Sequence, residues 1–217
     1  MATRIVTITD HKSGKQVECP VYEGEYGAPV IDIKNLYKEL GMFTFDLGYG
    51  STAACRSAIT YLDGEDGVLL HRGYPIEQLA EKSNFLEVSY LLLHGELPNQ
   101  VQSDEWTHAI KMHGMTHEHL SRFYQGYRYD AHPMSVLAGV CAAVASYYHA
   151  STDIHDPASR MLTARRVIAK MPNLVSKIYR HSSGLPFVYP DNSRDHVENF
   201  MYMMFSWPTE PYVANPV

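Results

Sequence analysis

The side chains best suited to chemistry in this sequence are histidines, of which the chain has twelve. The densest group is formed by His113, His117 and His119. The first two are four residues apart and would share one face of a helix. Zinc sites of this kind need the HExxH order or a second ligand cluster, and the sequence contains neither. We therefore predict no metal site, and surface histidines that are exposed to solvent or hydrogen-bonded.

A second candidate is a group of cations, formed by Arg165, Arg166 and Lys170. Arginine and lysine at this spacing can hold a phosphate, but such groups are more often ordinary helix surface. The sequence has no GxGxxG, no phosphate-binding P-loop and no GxSxG motif. From the residues alone we assign no catalytic residue and no cofactor-binding residue.

Composition excludes several classes of protein. The 217 residues are 45% hydrophobic, which is enough for a packed core, and the net charge of −6 argues against nucleic acid and anionic membranes as partners. The three cysteines follow no CxxC spacing and indicate neither a disulfide framework nor a zinc site. Because the N-terminus resembles neither a signal peptide nor a transit peptide, we expect a cytoplasmic protein.

The longest uncharged run covers residues 132–150 and predicts one helix, with Pro133 in its first turn. Ser135, Gly139 and Ala143 recur every four residues, and apolar residues cover the other faces. A helix without a polar face is expected to be buried, and small residues allow close approach of a second backbone. We therefore predict that this helix forms the core.

The remaining elements are predicted from turn and cap residues. Strands at 3–9, 16–22 and 30–33 precede a short helix at 34–40, which Asp32 caps. A loop at 43–52 leads to a second hairpin around 63–67, and only helices follow from Tyr74. Caps are expected at Asn84, Ser103 and Ser193, and Pro157 opens a long helix that contains Pro172. The fold class is mainly α, with a small N-terminal β-rich module and a β-hairpin.

Several segments closely resemble citrate synthase, namely DGEDGVLLHRGYPIEQLAEKSNFLEVSYLLLHGELP (63–98), DAHPMSVL (130–137), KMP (170–172) and GLPFVYPDNS (184–193). The similarity runs from about Phe43 to Val217. Residues 1–42 resemble the extra β-rich domain of the Gram-negative bacterial, hexameric branch. The resemblance implies two regions, the module at 1–42 and part of the helical large domain at 43–217.

The resemblance also implies an acyltransferase of the tricarboxylic acid cycle, which condenses acetyl-CoA with oxaloacetate to citrate. Its members form symmetric dimers, and the bacterial branch assembles them into hexamers. The family's catalytic histidines, catalytic aspartate and oxaloacetate-binding arginines follow the dipeptide that matches Asn215–Pro216. We therefore expect this chain alone to be inactive. The alternative is a non-catalytic helical partner that dimerises with a full-length subunit or regulates it.

Two sets of residues follow from the resemblance. NADH, an inhibitor rather than a cofactor, would bind at Met115, Tyr148, Arg166, Lys170 and Thr209. Thr209 and Trp207 depart from the family's pattern there. Helix 133–149 would pack on its twin in the dimer through Ser135, Gly139 and Ala143.

Overall fold

The computed structural model describes residues 2–151 and 153–215 of the chain. Contacts between residues divide the chain into two compact units, Met1–Ser83 and Asn84–Val217. The first unit contains the β-structure and two short helices, and the second is helical. The expected fold class is therefore confirmed. The expected domain boundary between residues 42 and 43 stays a prediction.

The first unit begins with an antiparallel sheet in the order β1-β2-β3. The strands are β1 (Ala2–Thr9), β2 (Gln16–Tyr22) and β3 (Val30–Ile31). Val17 and Cys19 of β2 are buried against Leu36 of helix α1 (Leu36–Leu40). The alternation of β-branched residues that predicted the hairpin thus places alternate side chains in a small core.

The third strand and the first helix are both shorter than predicted. Asp32 does not cap α1, because its carboxylate accepts a hydrogen bond from the Lys34 N–H (3.0 Å), in the turn before the helix. The helix begins two residues later and ends at Leu40, with Gly41 as its C-cap. Gly41 has a φ of 71°, which glycine adopts without steric cost, and so the predicted C-terminal glycine is confirmed.

The second sheet of this unit also has three strands, β4 (Thr60–Asp63), β5 (Val68–His71) and β6 (Tyr74–Pro75). The prediction that strands end before Tyr74 is wrong. Arg72 and Gly73 both have positive φ angles, 52° and 88°, and reverse the chain so that Tyr74 pairs with His71. Helix α2 (Ile76–Lys82) follows directly.

The second unit contains six α-helices among the described residues. Helices α3 and α4 begin at asparagine caps, α5 is a single short segment, and a 3-10 turn, His149–Ser151, lies between α6 and α7. The bounds are α3 (Phe85–His94), α4 (Gln100–Met112), α5 (Leu120–Tyr124), α6 (Pro133–Ala145), α7 (Pro157–Ser182) and α8 (His196–Phe205).

One of the three predicted serine or asparagine caps is confirmed. The Asn84 side chain accepts hydrogen bonds from the Leu86 and Glu87 N–H groups, within a capping box. The prediction at Ser103 is wrong, because Asn99 caps α4 four residues earlier. The prediction at Ser193 is also wrong, because Asp195 caps α8. In both cases the side chain that accepts the hydrogen bond from the first turn of the helix belongs to another residue, Asn99 or Asp195.

Helix α7, rather than α6, is the centre of the second unit. It packs against α4, α5, α6 and α8 and runs continuously through Pro172. Helix α6 ends at Ala145, and only Val136 and Val140 of it are buried. These two valines contact Leu174 and Ile178 of α7 in the main apolar cluster. The prediction that α6 is buried on every side does not hold within this chain.

The buried side of α7 carries three cations, Lys170, Lys177 and Arg180, which are 5%, 1% and 0% exposed. Among the described residues, none of them is in an ion pair. Backbone carbonyls and side-chain hydroxyls accept their hydrogen bonds instead. A buried charge is costly unless such partners replace its hydration, and so these contacts offset the cost of burying the three charges.

Arg180 joins three segments of the second unit. Its guanidinium donates hydrogen bonds to the carbonyls of Met204 (3.1 Å) and Ser206 (3.0 Å), at the end of α8, and to that of Pro186. The loop after α7 and the end of α8 are therefore both held by one side chain.

In the described part of the chain, no helix is both long and apolar enough to cross a bilayer.

Replacing this guanidinium tests how much the contacts contribute. Arg180→Met keeps the volume but leaves buried carbonyls without donors, each at about 1–3 kcal/mol. We expect urea unfolding to show a loss of at least about 3 kcal/mol. Arg122→Met is the matched control, because Arg122 is exposed on α5. An unchanged urea midpoint for Arg180→Met would contradict this role.

Candidate functional site

The predicted group of cations is not a plain surface group, because Lys170 is almost completely buried. Its ammonium donates hydrogen bonds to the carbonyls of His113 (2.7 Å) and Met115. These two contacts hold the loop that follows α4 against the middle of α7. The loop that carries Met115 is thereby fixed against Lys170.

Arg166, one helical turn before Lys170, lies on an aromatic ring. Its guanidinium carbon is 4.4 Å from the centroid of the Tyr148 ring, and its Nη1 donates to the Ser151 hydroxyl (2.6 Å). The Lys170 ammonium is 5.4 Å from the same centroid. Cations at these distances are attracted by the negative face of the ring. Two positive charges therefore share one tyrosine.

Four of the five residues that the resemblance selected for NADH are thus brought together, namely Met115, Tyr148, Arg166 and Lys170. Chemically, this patch offers charge-assisted donors for a phosphate and an aromatic ring for stacking. We refer to these four residues as the cationic patch. Whether it binds NADH stays a prediction.

The fifth residue, Thr209, is not part of this arrangement. It is exposed, and within the described residues no hydrogen bond joins it to the cationic patch. It belongs to the segment after α8, which lines an open groove of about 830 Å³. Tyr189, Tyr202, Trp207 and Tyr212 contribute aromatic rings to the groove.

Two histidines of the predicted group, His117 and His119, contact their neighbours. The His117 ring stacks on Tyr147, with centroids 4.6 Å apart, and its Nδ1 accepts a hydrogen bond from the His119 N–H (3.1 Å). In residues 2–151 and 153–215, no three His, Cys, Asp or Glu side chains are grouped as metal ligands.

A cleft lined by Arg194, Asp195 and His196 has the residue types of a catalytic site but not its geometry. Its volume is about 20 Å³, room for about one water molecule. Asp195 caps α8, and Arg194 pairs with Asp191. The His196 ring stacks on Phe85, and burial lowers the pKa of this histidine. Each side chain therefore has a structural partner.

The small-residue stripe of α6 is only partly available for a dimer contact. Ser135 is exposed, whereas Gly139 and Ala143 are half-buried. A β-carbon at Gly139 would overlap the hydroxyl of Tyr127 in the same chain, which explains the glycine without a second subunit. Substitution of Gly139 would displace the Tyr127 side chain and therefore would not test a dimer contact alone. The interface stays a prediction.

Sequence reasoning missed Lys177, the most unusual charged residue of the unit. Its Nζ donates to the hydroxyls of Thr116 (2.9 Å) and Ser121 (3.4 Å). Burial lowers the pKa of this lysine, and the negative charge of Glu118 opposes the effect. The sequence spacing could have indicated this residue, because Lys177 lies seven residues after Lys170 and hence on the same face of a long helix.

Comparisons with known proteins agree with this architecture. The family model described as citrate synthase, C-terminal domain, matches residues 48–216. The crystal structure of citrate synthase from Thermotoga maritima is 30% identical over 75% of this chain and 42% of that chain, with a TM-score of 0.63. Citrate synthase from Pyrobaculum aerophilum is 27% identical over 97% of this chain and 48% of that chain, with a TM-score of 0.64.

A third structure, of Thermoplasma acidophilum citrate synthase with carboxymethyl coenzyme A and oxaloacetate, has a TM-score of 0.62. It is 19% identical over 71% of this chain and 40% of that chain, and so it supports the fold alone. The family match over residues 48–216 shows that the chain belongs to the citrate synthase family. The chain spans less than half of the length of each of these structures.

The buried ammonium of Lys177 predicts a pH-dependent stability. Because the pKa of Lys177 is lower in the folded chain, the unfolded chain binds more protons between that value and about 10.4. Lys177→Met removes the charge at similar volume and should raise the free energy of unfolding at pH 7 by about 1 kcal/mol or more. The gain should shrink as the pH rises toward 10.

Urea unfolding at several pH values measures this difference. Lys82→Met is the control, since Lys82 is exposed on α2 and should leave the pH profile unchanged. A loss of stability in Lys177→Met at pH 7 would show that the lysine is net favourable where it lies.

Proposed function

We propose that this chain supplies the first part of a citrate synthase, the enzyme that condenses acetyl-CoA with oxaloacetate and water to give citrate and CoA. The observation that carries the proposal is the family match over residues 48–216 together with the helical fold. The protein would act in the cytoplasm at entry to the tricarboxylic acid cycle. Oxaloacetate and acetyl-CoA would be substrates, and no resident cofactor would take part.

The chain provides scaffold rather than catalytic groups in this proposal. The reaction needs a carboxylate that deprotonates the methyl group of the thioester, a donor to the forming enolate, and arginines that clamp a dicarboxylate. In the described residues, the buried cations hold backbone carbonyls or hydroxyls, and the histidines near them stack on neighbouring rings. The catalytic groups would therefore come from outside residues 1–217.

Exposed apolar side chains support this division. Phe43, Phe45 and Leu47 are 80%, 91% and 88% exposed, in a loop of the first unit. Large apolar side chains that are close together and exposed mark an interaction surface. A further part of a citrate synthase would cover such a surface.

The assay for the proposal measures CoA release from acetyl-CoA and oxaloacetate. Purified residues 1–217 should give no citrate above the rate without protein, because each missing acid or base typically contributes 10²–10⁴-fold. A protein that contains this chain and the remainder of the family fold should be active. Citrate formation proportional to the concentration of residues 1–217, without host enzyme, would show that the active site was misplaced.

The alternative is a non-catalytic partner that binds or regulates a full-length subunit. It draws on the face of α6 predicted for the dimer, which carries Ser135, Gly139 and Ala143; Ser135 is exposed in the single chain, and the other two are half-buried. The same face would form the homodimer, and three dimers would form the hexamer of the Gram-negative branch. The two functions differ in one readout: only under the first does citrate synthesis require this chain as part of the enzyme itself.

We also propose NADH as an inhibitor that binds the cationic patch. Arg166 and Lys170 would contact the pyrophosphate, and Tyr148 would contact the adenine. The support is their common environment, two cations within 5.4 Å of one tyrosine ring. Thr209 would join the site from the segment after α8, and Trp207 would change its shape.

Calorimetry with NADH tests this site in a complete, hexameric enzyme that contains the chain. Arg166→Gln should weaken binding about tenfold or more, because a charge-assisted hydrogen bond is worth about 1.5–3 kcal/mol. Arg122→Gln should bind normally, since Arg122 lies on α5 outside the patch. Absence of NADH binding to the unmodified enzyme would end the proposal.

A further inference from the structure

An apolar cavity of about 140 Å³ lies between α6 and α7. Its walls are almost entirely carbon and sulfur. The apolar wall residues are Cys141, Val144, Ala145, Val167, Met171 and Leu174. An engineered apolar cavity of about 150 Å³ stays dry and binds benzene. A cavity of this size and lining therefore fits a small apolar group better than water.

Two cations border the same cavity, Arg166 and Lys170. Lysine has three N–H donors, and in the described residues only two of those of Lys170 have acceptors, the carbonyls of His113 and Met115. Lys170 is 95% buried, given its exposure of 5%. The Nη1 of Arg166 donates a hydrogen bond to the Ser151 hydroxyl, and the guanidinium has further N–H donors. The cavity thus combines an apolar body with two cations at its border.

We propose that this cavity binds a short-chain monocarboxylate, with the alkyl tail between α6 and α7 and the carboxylate at Arg166 and Lys170. The apolar walls select the tail by burial of its methylene groups. The two positive charges select an anion and disfavour an amine of the same length. This site is separate from the proposed catalysis, because every residue in it belongs to this chain.

The site shares Tyr148, Arg166 and Lys170 with the proposed NADH site, but the two ligands differ in the contacts that they need. NADH requires phosphate contacts and no apolar cavity, whereas the carboxylate requires the cavity. Loss of one with retention of the other would therefore separate the two proposals.

Calorimetry on residues 1–217 tests the chemistry with butyrate, hexanoate and octanoate. Affinity should rise about fourfold per added methylene from butyrate to hexanoate, which corresponds to about 0.8 kcal/mol. It should rise no further with octanoate, because the cavity is then filled. Hexylamine should bind at least tenfold more weakly than hexanoate. Equal binding of the amine, or no dependence on length, would overturn the proposal.

Cys141 in the cavity wall provides a second readout. Hexanoate should slow alkylation of Cys141 and leave alkylation of Cys55, which is exposed in the first unit, unchanged. Mass spectrometry of the two peptides gives both rates in one sample. Protection of Cys141 that depends on protein concentration and not on hexanoate would mean that a second copy covers the cavity, which would overturn the proposal.

Matched variants locate the binding site. Val144→Phe fills the cavity and should abolish hexanoate binding, whereas Val197→Phe makes the same change at an exposed position of α8 and should not. Arg166→Gln should weaken hexanoate binding and leave hexanol binding unchanged, and Arg122→Gln should affect neither. Normal binding of hexanoate to folded Val144→Phe would refute the assignment.

Discussion

The second unit depends on three positive charges that α7 buries without a carboxylate. Lys170, Lys177 and Arg180 lie within eleven residues on one helix, and neutral oxygens accept the hydrogen bonds that they make. Removing a cation from water costs several kcal/mol, and backbone carbonyls offset that cost only if they converge on it. The loops that supply these oxygens are consequently held in place, because moving one of them would leave a buried charge without its hydrogen-bond partners.

Each cation organises a different connection. Lys170 holds the loop after α4, Lys177 holds Thr116 and Ser121 at the start of α5, and Arg180 holds the chain after α7 and α8. Apolar packing alone would leave such loops with many arrangements of similar energy, since it is not directional. The hydrogen bonds of a buried cation are directional. Helix α7 therefore both fills the core and determines where the connections lie.

The same arrangement explains why both proposed ligands are anions. The Arg165 guanidinium carbon lies 5.4 Å from the centroid of the Trp106 ring, and that of Arg166 lies 4.4 Å from the centroid of the Tyr148 ring. Both arginines are half-buried, so α7 carries cations at half-buried positions as well as in the core. With no carboxylate paired to these side chains among the described residues, the positive potential is not cancelled locally. Anionic ligands would supply the missing charge.

The sequence by itself determined the class of fold, the β-hairpins and the family. These features depend on local patterns, such as alternation in β1 and β2, the Asn84 cap and the long motifs that resemble citrate synthase. Local patterns also misled at Ser103 and Ser193, where Asn99 and Asp195 compete as better caps.

Tertiary structure alone decided which helix is central and what its charges do. The sequence of α6 is the more apolar, yet α7 is buried more deeply, because carbonyls distant in the chain satisfy its cations. Likewise, Gly139 is small because Tyr127 occupies the space beside it. No periodicity encodes such partners, since each lies on another element and its distance from α7 or α6 is fixed only when the helices pack.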